Sequence, residues 1–269
     1  MENGKKLTII RNIIVAFSLY SKIPMPIFTW REEDMKHNLI FLPWVGIVIG
    51  FITTGLYFLK GLFTNIPMIA WVIIYSLVPI IITGGFHLDG FMDTEDALKS
   101  YKSKEEKLKI LKDPHIGAFA IINLLVFAGI WLASMAVLTA NGSIRDFILL
   151  SLIFVLSRCF SGITSISFKR AKNEGMLDME TKKAGKIDLV FLIIQLVFVL
   201  AFMVFINPCK AAVLILILIL VTIIYKTKSY KEFGGVTGDT AGFYLCVSEE
   251  SMLLTLSLLV ALINIWSQA

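Results

Sequence analysis

The sequence predicts an all-α, polytopic membrane protein of about seven transmembrane helices, preceded by an N-terminal interfacial or half-buried helix. Three observations carry this. The 269 residues are 57% apolar and only 17% charged, where soluble chains average roughly 25% charged residues. The mean hydropathy is strongly positive. Apolar runs recur that approach the ~20 residues a bilayer core requires.

Taken in order, the segment Leu7–Tyr20 carries Arg11 within its apolar stretch and ends before Pro24 and Pro26. It has no small-residue cleavage site, so it reads as a helix on or half inside the membrane surface rather than a signal peptide. The spans read as 39–62, 66–83, 116–140, 147–168, 189–206, 211–225 and 252–266, the sixth being short. Residues 1–269 form one integral membrane unit in this reading. Cys159, Cys209 and Cys246 are isolated, which excludes a disulfide framework or a CxxC zinc site.

Twenty-five Lys and Arg against twenty Asp and Glu would suit nucleic acid, but their placement argues against that partner. Basic residues crowd the N-terminus and the loops after spans two, four and six, while the alternate loops hold only Lys60, Arg145 and Lys210. That is the positive-inside pattern of a cytoplasmic membrane protein. It places the N-terminus and those loops in the cytoplasm and leaves the C-terminus outside. Of the acidic residues only Asp146 falls in an outer loop, so the chemistry is expected on the cytoplasmic side, in segments 83–117, 157–175 and 233–250. Membrane lipid is the implied surrounding. Nothing in the sequence bears on self-association, so a homo-oligomer stays open.

The strongest local signal is the run from Thr83 to Leu98, TGGFHLDGFMDTEDAL. Asp89, Asp93 and Asp96 stand at i, i+4 and i+7, within about 60° of one another on a helix. Three carboxylates on one stripe repel unless a cation lies between them, and hard oxygen donors of this kind suit Mg²⁺ or Mn²⁺ shared with a substrate phosphate. His87 adjoins them. Glu95 faces elsewhere, toward solvent. The glycines at 84, 85 and 90 could let backbone approach a phosphate. The plainer alternative is a solvated acidic helix end paired with the lysines that follow.

A second run, Phe233 to Gly242, FGGVTGDTAG, surrounds Asp239 with glycine and hydroxyl residues. Its N–H groups could meet a phosphate, and Asp239 could serve as metal ligand or general base. Equally, it could be a turn with Asp239 or Thr240 as helix N-cap. Glu249 and Glu250 begin the last span, and Glu249, nearly three helical turns from Asp239, could face the same cavity from deeper down. Lys112, Asp113 and His115 open the third span, where they could contact phosphate or simply lie among the lipid headgroups. Arg158 lies inside the fourth span and requires an acidic partner or a substrate. With Lys172, it could clamp phosphate charge. The residues alone thus indicate metal-assisted phosphoryl-group chemistry at the cytoplasmic membrane surface.

The two runs together resemble the adenosylcobinamide-GDP ribazoletransferase (cobalamin synthase) family. The resemblance extends to Ser21–Pro24, Phe41–Gly46, Lys112–Gly117 and Ser157–Arg158. It implies a multispanning enzyme of the last stage of cobalamin biosynthesis. Such an enzyme transfers the cobinamide phosphate of adenosylcobinamide-GDP to α-ribazole or its 5′-phosphate, releases GMP and requires magnesium. His87, Asp89, Asp93 and Asp96 match the family's acidic motif, and Thr237, Gly238 and Asp239 its glycine-rich one. Asp113, Arg158 and Glu249 match further family positions. On the residues and the resemblance together, Asp89, Asp93 and Asp96 are expected to hold the metal, with Asp239 completing the metal site or acting as base and His87 as the second candidate base. It makes Lys112, Asp113, His115, Arg158, Lys172, Thr237, Gly238 and Glu249 substrate contacts. Lys22, His115 and Lys172 stand where Arg is usual, which loses the bidentate fork, and Cys246 stands where Glu is frequent. Two rivals fit less well. A CDP-alcohol phosphotransferase would need Ala-Arg after the Asp-Gly pair, and a cation transporter would need acidic groups near the bilayer midplane.

Overall fold

The computed structural model describes residues 2–30, 32–171, 177, 181 and 184–268. The described residues form ten α-helices and no strand: α1 (Glu2–Tyr20), α2 (Leu42–Leu62), α3 (Met68–Thr83), α4 (Phe86–Lys99), α5 (Lys104–Ile110), α6 (Ala118–Asn141), α7 (Ile144–Ser167), α8 (Lys186–Ile206), α9 (Pro208–Glu232) and α10 (Gly238–Gln268). Six stretches are long and apolar enough to cross a membrane: 38–62, 118–141, 144–167, 186–206, 208–232 and 238–266. The chain is therefore a multi-pass membrane protein. With no water in the bilayer core, helices that satisfy their own backbone groups are the economical way to span it.

α3 departs from a simple span. It has 16 residues, about 24 Å at 1.5 Å per residue, and α4 leaves it at 91°. Gly84 and Gly85 make that corner with φ of 67° and 77°, the left-handed region glycine enters without a Cβ clash. The amide of Gly85 bonds Ile80 O at 3.1 Å. α4, which is not among the six long apolar stretches, thus turns away from α3 and packs on α10 and α6.

The packing is densest around α7, which is buried over most of its length. α2 approaches it through Gly46 and Gly50, a pair at i, i+4. A Cβ at Gly50 would stand 2.9 Å from Ser151 O, and one at Gly46 would collide with the Phe154 carbonyl. Ser151 Oγ donates to Gly50 O at 2.7 Å and pairs with Thr54 Oγ1 at 2.8 Å. Small residues that let backbones touch, with hydroxyl bonds across them, are how membrane helices associate when apolar burial no longer discriminates. On α1, Val15, Ala16 and Phe17 are buried and Ile9 and Ile10 exposed, the half-buried helix expected. Arg11 ties it to Asp34 at 2.6 Å.

Two boundaries differ from the apolar runs. α9 extends to Glu232, past the short 211–225 window, because Lys226, Lys228 and Lys231 continue the helix while their long stems carry the ammonium groups to the interface. α10 begins at Gly238, fourteen residues before the predicted span. Glu249 and Glu250 therefore lie within the helix and do not start it.

Candidate active site

Helices α4 and α10 cross with their backbones nearly in contact. A Cβ on Gly90 would lie 2.8 Å from Asp239 O, and one on Gly242 would lie 3.0 Å from His87 O. Phe91 stacks on Phe243 at 5.8 Å to lock the crossing. Glycine at these two positions thus brings the acidic stripe to the start of α10, and Gly90 and Gly242 line the cavity between them.

The sequence upstream of α10 builds its N-terminus. Val236 N donates to Lys169 O at 2.9 Å, Ala171 N to Val236 O at 2.9 Å and Gly235 N to Ser229 O at 3.1 Å. The glycine loop spends these amides on joining the end of α7 to α9, so what it offers a phosphate is the first turn of α10. Thr237 caps that turn: its Oγ1 accepts from Thr240 N at 3.1 Å, and Thr240 Oγ1 accepts from Thr237 N at 2.8 Å. The cap is therefore neither Asp239 nor Thr240 alone, which leaves the Asp239 carboxylate available at a helix N-terminus that favours negative charge.

His87, Asp89, Lys112, Thr237, Gly238 and Asp239 line one cavity of about 340 Å³, together with Tyr20, Ser161, Ser165 and Arg170. The carboxylates feel one another. Burial first, then the charges of Asp89, Asp239 and Asp96, pushes the Asp93 carboxyl up to about 6. Asp96 lies against the backbone of Gly117, where any Cβ would collide with its carboxylate. Glu95 is half-buried, not solvated; its pKa is raised by burial and pulled back by Lys99 and Lys228. His87 is buried and has no hydrogen-bond partner among the described residues. A small apolar cluster of Ala97, Leu111 and Phe233 holds the Lys112 segment beside the glycine loop.

Other expected residues lie elsewhere. Arg158, 1% exposed, donates to Glu249 Oε1 at 2.5 Å, with Ser157 Oγ on the same oxygen at 2.7 Å. Of the two partners the sequence allowed Arg158, the structure supplies the acid. This pair lines a second cavity, on the far side of His87. Asp113 and His115 are exposed and bond each other at 2.6 Å. Lys172 lies outside the described residues. Sequence reasoning missed Arg170, whose Nη1 donates to Thr181 Oγ1 at 3.0 Å. It follows a span in a basic run that membrane orientation already explains, so nothing marked it out.

Among the described residues, no three His, Cys, Asp or Glu side chains stand close enough to hold one ion by themselves. The donor set nevertheless fits a hard divalent cation. All four groups are carboxylates, they repel one another, and such ions keep several ligand positions for water and substrate phosphate.

The cobalamin-5-phosphate synthase family model matches residues 12–257. The chain belongs to that family. A relative from Lachnoclostridium phytofermentans, an adenosylcobinamide-GDP ribazoletransferase, is 38% identical over 240 residues, 88% of this chain and 89% of its own. One of the same name from Clostridium perfringens strain SM101 is 32% identical over 252 residues, 92% of this chain and 97% of its own. Another from Treponema denticola is 29% identical over 261 residues, covering 91% and 96%. No solved structure matches. As a member of the cobalamin-5-phosphate synthase family the chain is a transferase of final-stage cobalamin synthesis, acting by ribazole transfer.

Proposed function

We propose that the chain transfers the cobinamide phosphate of adenosylcobinamide-GDP to a free ribose hydroxyl of α-ribazole or of its 5′-phosphate, releasing GMP, at the cytoplasmic end of the bundle and with a divalent cation. The observation that carries it is the meeting of Asp89 and Asp239, 150 positions apart, at one cavity that also holds Lys112 and Arg170. Acid on one wall and base on another suit a pyrophosphate substrate whose charge a divalent cation would help to neutralise.

Asp89, Asp93, Asp96 and Asp239 would hold Mg²⁺ or Mn²⁺, which supplies neutralisation of pyrophosphate oxygens and charge stabilisation of the leaving group. The ribazole hydroxyl attacks the phosphorus bonded to the cobinamide arm, and the bond from that phosphorus to the GMP oxygen breaks. Asp239 accepts the hydroxyl proton, with His87 as the second candidate. Lys112 and Arg170 offset the charge gathering on the departing GMP. Thr237 and the first turn of α10 orient a phosphate oxygen.

The test is incubation of the purified full chain with adenosylcobinamide-GDP, α-ribazole and Mg²⁺, following GMP and the corrinoid by chromatography. GMP formed with a cobalamin product and suppressed by EDTA is the expected result. Folded protein that forms neither overturns the reading.

A further inference from the structure

Helices α7 and α10 run antiparallel: Ser157 Oγ donates to Glu249 Oε1 at 2.7 Å, and beyond the end of α7 Ala171 N donates to Val236 O at 2.9 Å. Steps of one helical turn from the first contact bring Ser161 level with Leu245 and Ser165 level with Ala241. All four of these residues line the carboxylate cavity. Ser157 meets a carboxylate, whereas Ser161 and Ser165 meet side chains with no polar atom. A helical Ser or Thr can bond back to the carbonyl three or four residues earlier, as Thr53, Ser76 and Thr164 do. Ser161 and Ser165 do not. They are only 2% and 3% exposed, and neither hydroxyl has a hydrogen-bond partner among the described residues. Nor is either sealed into the protein, as the unpaired hydroxyls of Ser134 and Thr139 are. Both open on the cavity, and a buried hydroxyl left unpaired is costly.

We propose that Ser161 and Ser165 bind the ribose of the acceptor nucleoside, each exchanging a hydrogen bond with a sugar hydroxyl, and so select the acceptor. The inference rests on ribazole being the acceptor. The two Cβ atoms stand one turn apart on α7, about 5–6 Å, a spacing that two hydroxyls of one furanose can bridge. A serine and a sugar hydroxyl each donate and accept, so the pairs complete one another. Beside the serines the wall is largely apolar, from Tyr20, Leu39, Leu42 and Leu245, which suits the bicyclic heteroaromatic base. The donor substrate also carries a ribose, in its guanosine, but guanine brings N–H groups that need acceptors. Among the described residues the carboxylates of this cavity are Asp89 and Asp239, which stand at its reacting end. A cavity of about 340 Å³ lies at the low end of the ~300–1,000 Å³ that small ligands occupy, too little for a corrinoid. A phosphate would find its cations at Lys112 and Arg170 and has less need of two neutral hydroxyls. Ser165 stands level with Ala241, two residues past Asp239, so a sugar held there keeps its remaining hydroxyl on the side of that carboxylate.

S161A, S165A and the double substitution test this in the full chain reconstituted in lipid nanodiscs. Equilibrium binding of labelled α-ribazole is measured without the second substrate, and KM and kcat are measured for both substrates. The midpoint of an SDS titration in mixed micelles reports the fold. Each single substitution is expected to weaken α-ribazole binding about three- to tenfold, the scale of one neutral hydrogen bond, and S161A/S165A by about tenfold or more. KM for α-ribazole should rise in step, while kcat, KM for adenosylcobinamide-GDP and the SDS midpoint stay as in the parent. Unchanged α-ribazole affinity in S161A/S165A overturns the proposal. A rise in KM confined to adenosylcobinamide-GDP overturns it too, because the serines would then serve the guanosine. So does a fall in the SDS midpoint with both KM values rising together, the mark of a structural role. A parent chain that forms GMP with a KM for α-ribazole insensitive to S161A/S165A sinks the subsite and leaves the transfer reading standing. One that binds α-ribazole in a serine-dependent way and forms no GMP does the reverse.

Discussion

Glu249→Ala isolates the energetics of the buried charge pair. In the native chain Glu249 Oε1 takes Arg158 Nη1 at 2.5 Å and Ser157 Oγ at 2.7 Å. Arg158 keeps only the Phe154 carbonyl, at 2.9 Å, once the carboxylate is gone, and its Nε has no partner to begin with. Removing one member of a buried pair costs about 3–5 kcal/mol, because the other charge stays buried and uncompensated. Inside a bilayer-spanning helix the cost of a lone Arg is of the same order. The folded fraction against a graded SDS titration in mixed micelles measures it, and a loss in that range is expected for E249A. The double substitution R158M/E249M removes both charges with side chains of similar reach, so it should recover most of the loss, within about 1 kcal/mol of the parent. A cost for E249A under about 1 kcal/mol would refute the pair as a fold element.

Three further outcomes are expected. Asp239→Asn and Asp89→Asn should each lower turnover at least about 10²-fold, the scale of a lost general base or charge-bearing ligand, while the SDS midpoint holds; retained GMP release would remove that carboxylate from the site. Gly90→Val should separate α4 from α10, since its Cβ would stand 2.8 Å from Asp239 O; near-parental activity would show that the crossing tolerates a shift. Asp93 binds a proton up to about pH 6, and proton and cation compete for the same carboxylate. The Mg²⁺ concentration for half-maximal rate should therefore rise as pH falls through 6, by about tenfold per unit for one proton. Asp93→Asn should flatten that slope, and an unchanged slope in D93N would exclude Asp93 as its source.

Much of this architecture was legible because a bilayer imposes a length and a composition on whatever crosses it. The runs that became α2, α6, α7 and α8 stood within a few residues of their observed ends. The errors cluster where hydropathy stops measuring helix. Lys226, Lys228 and Lys231 look like a loop but extend α9, and Gly238–Ser251 lies ahead of the apolar run yet is the largely buried start of α10. That stretch faces protein, and a helix that faces other helices has no need of apolar residues all round. In the site, the spacing of Asp89, Asp93 and Asp96 placed them on one face of α4. Spacing could not join them to Asp239, which lies 143 positions past Asp96; the family resemblance made that link, and the glycine crossing gives it a physical cause. Arg170 went unmarked because its neighbours Lys169 and Lys172 made it look like one more orienting charge.

The glycines settle how helix packing and chemistry depend on each other here. Read as sequence, Gly84, Gly85, Gly90, Gly234 and Gly235 suggested backbone laid open to a phosphate. In the structure Gly84 and Gly85 turn α3 into α4, Gly90 and Gly242 seat α4 on α10, and Gly235 packs against the backbone after α7. Each of these tasks sets where a carboxylate stands: the corner turns the acidic stripe away from α3, and the crossing delivers Asp239 to it. Burial and then mutual repulsion among those carboxylates oppose the arrangement, and together they raise Asp93. The apolar stacking of Phe91 on Phe243, and of both against Cys246, holds it against that repulsion. A substitution that loosens the stack should therefore disturb turnover through the distance between Asp89 and Asp239, although neither ring contacts a reacting atom.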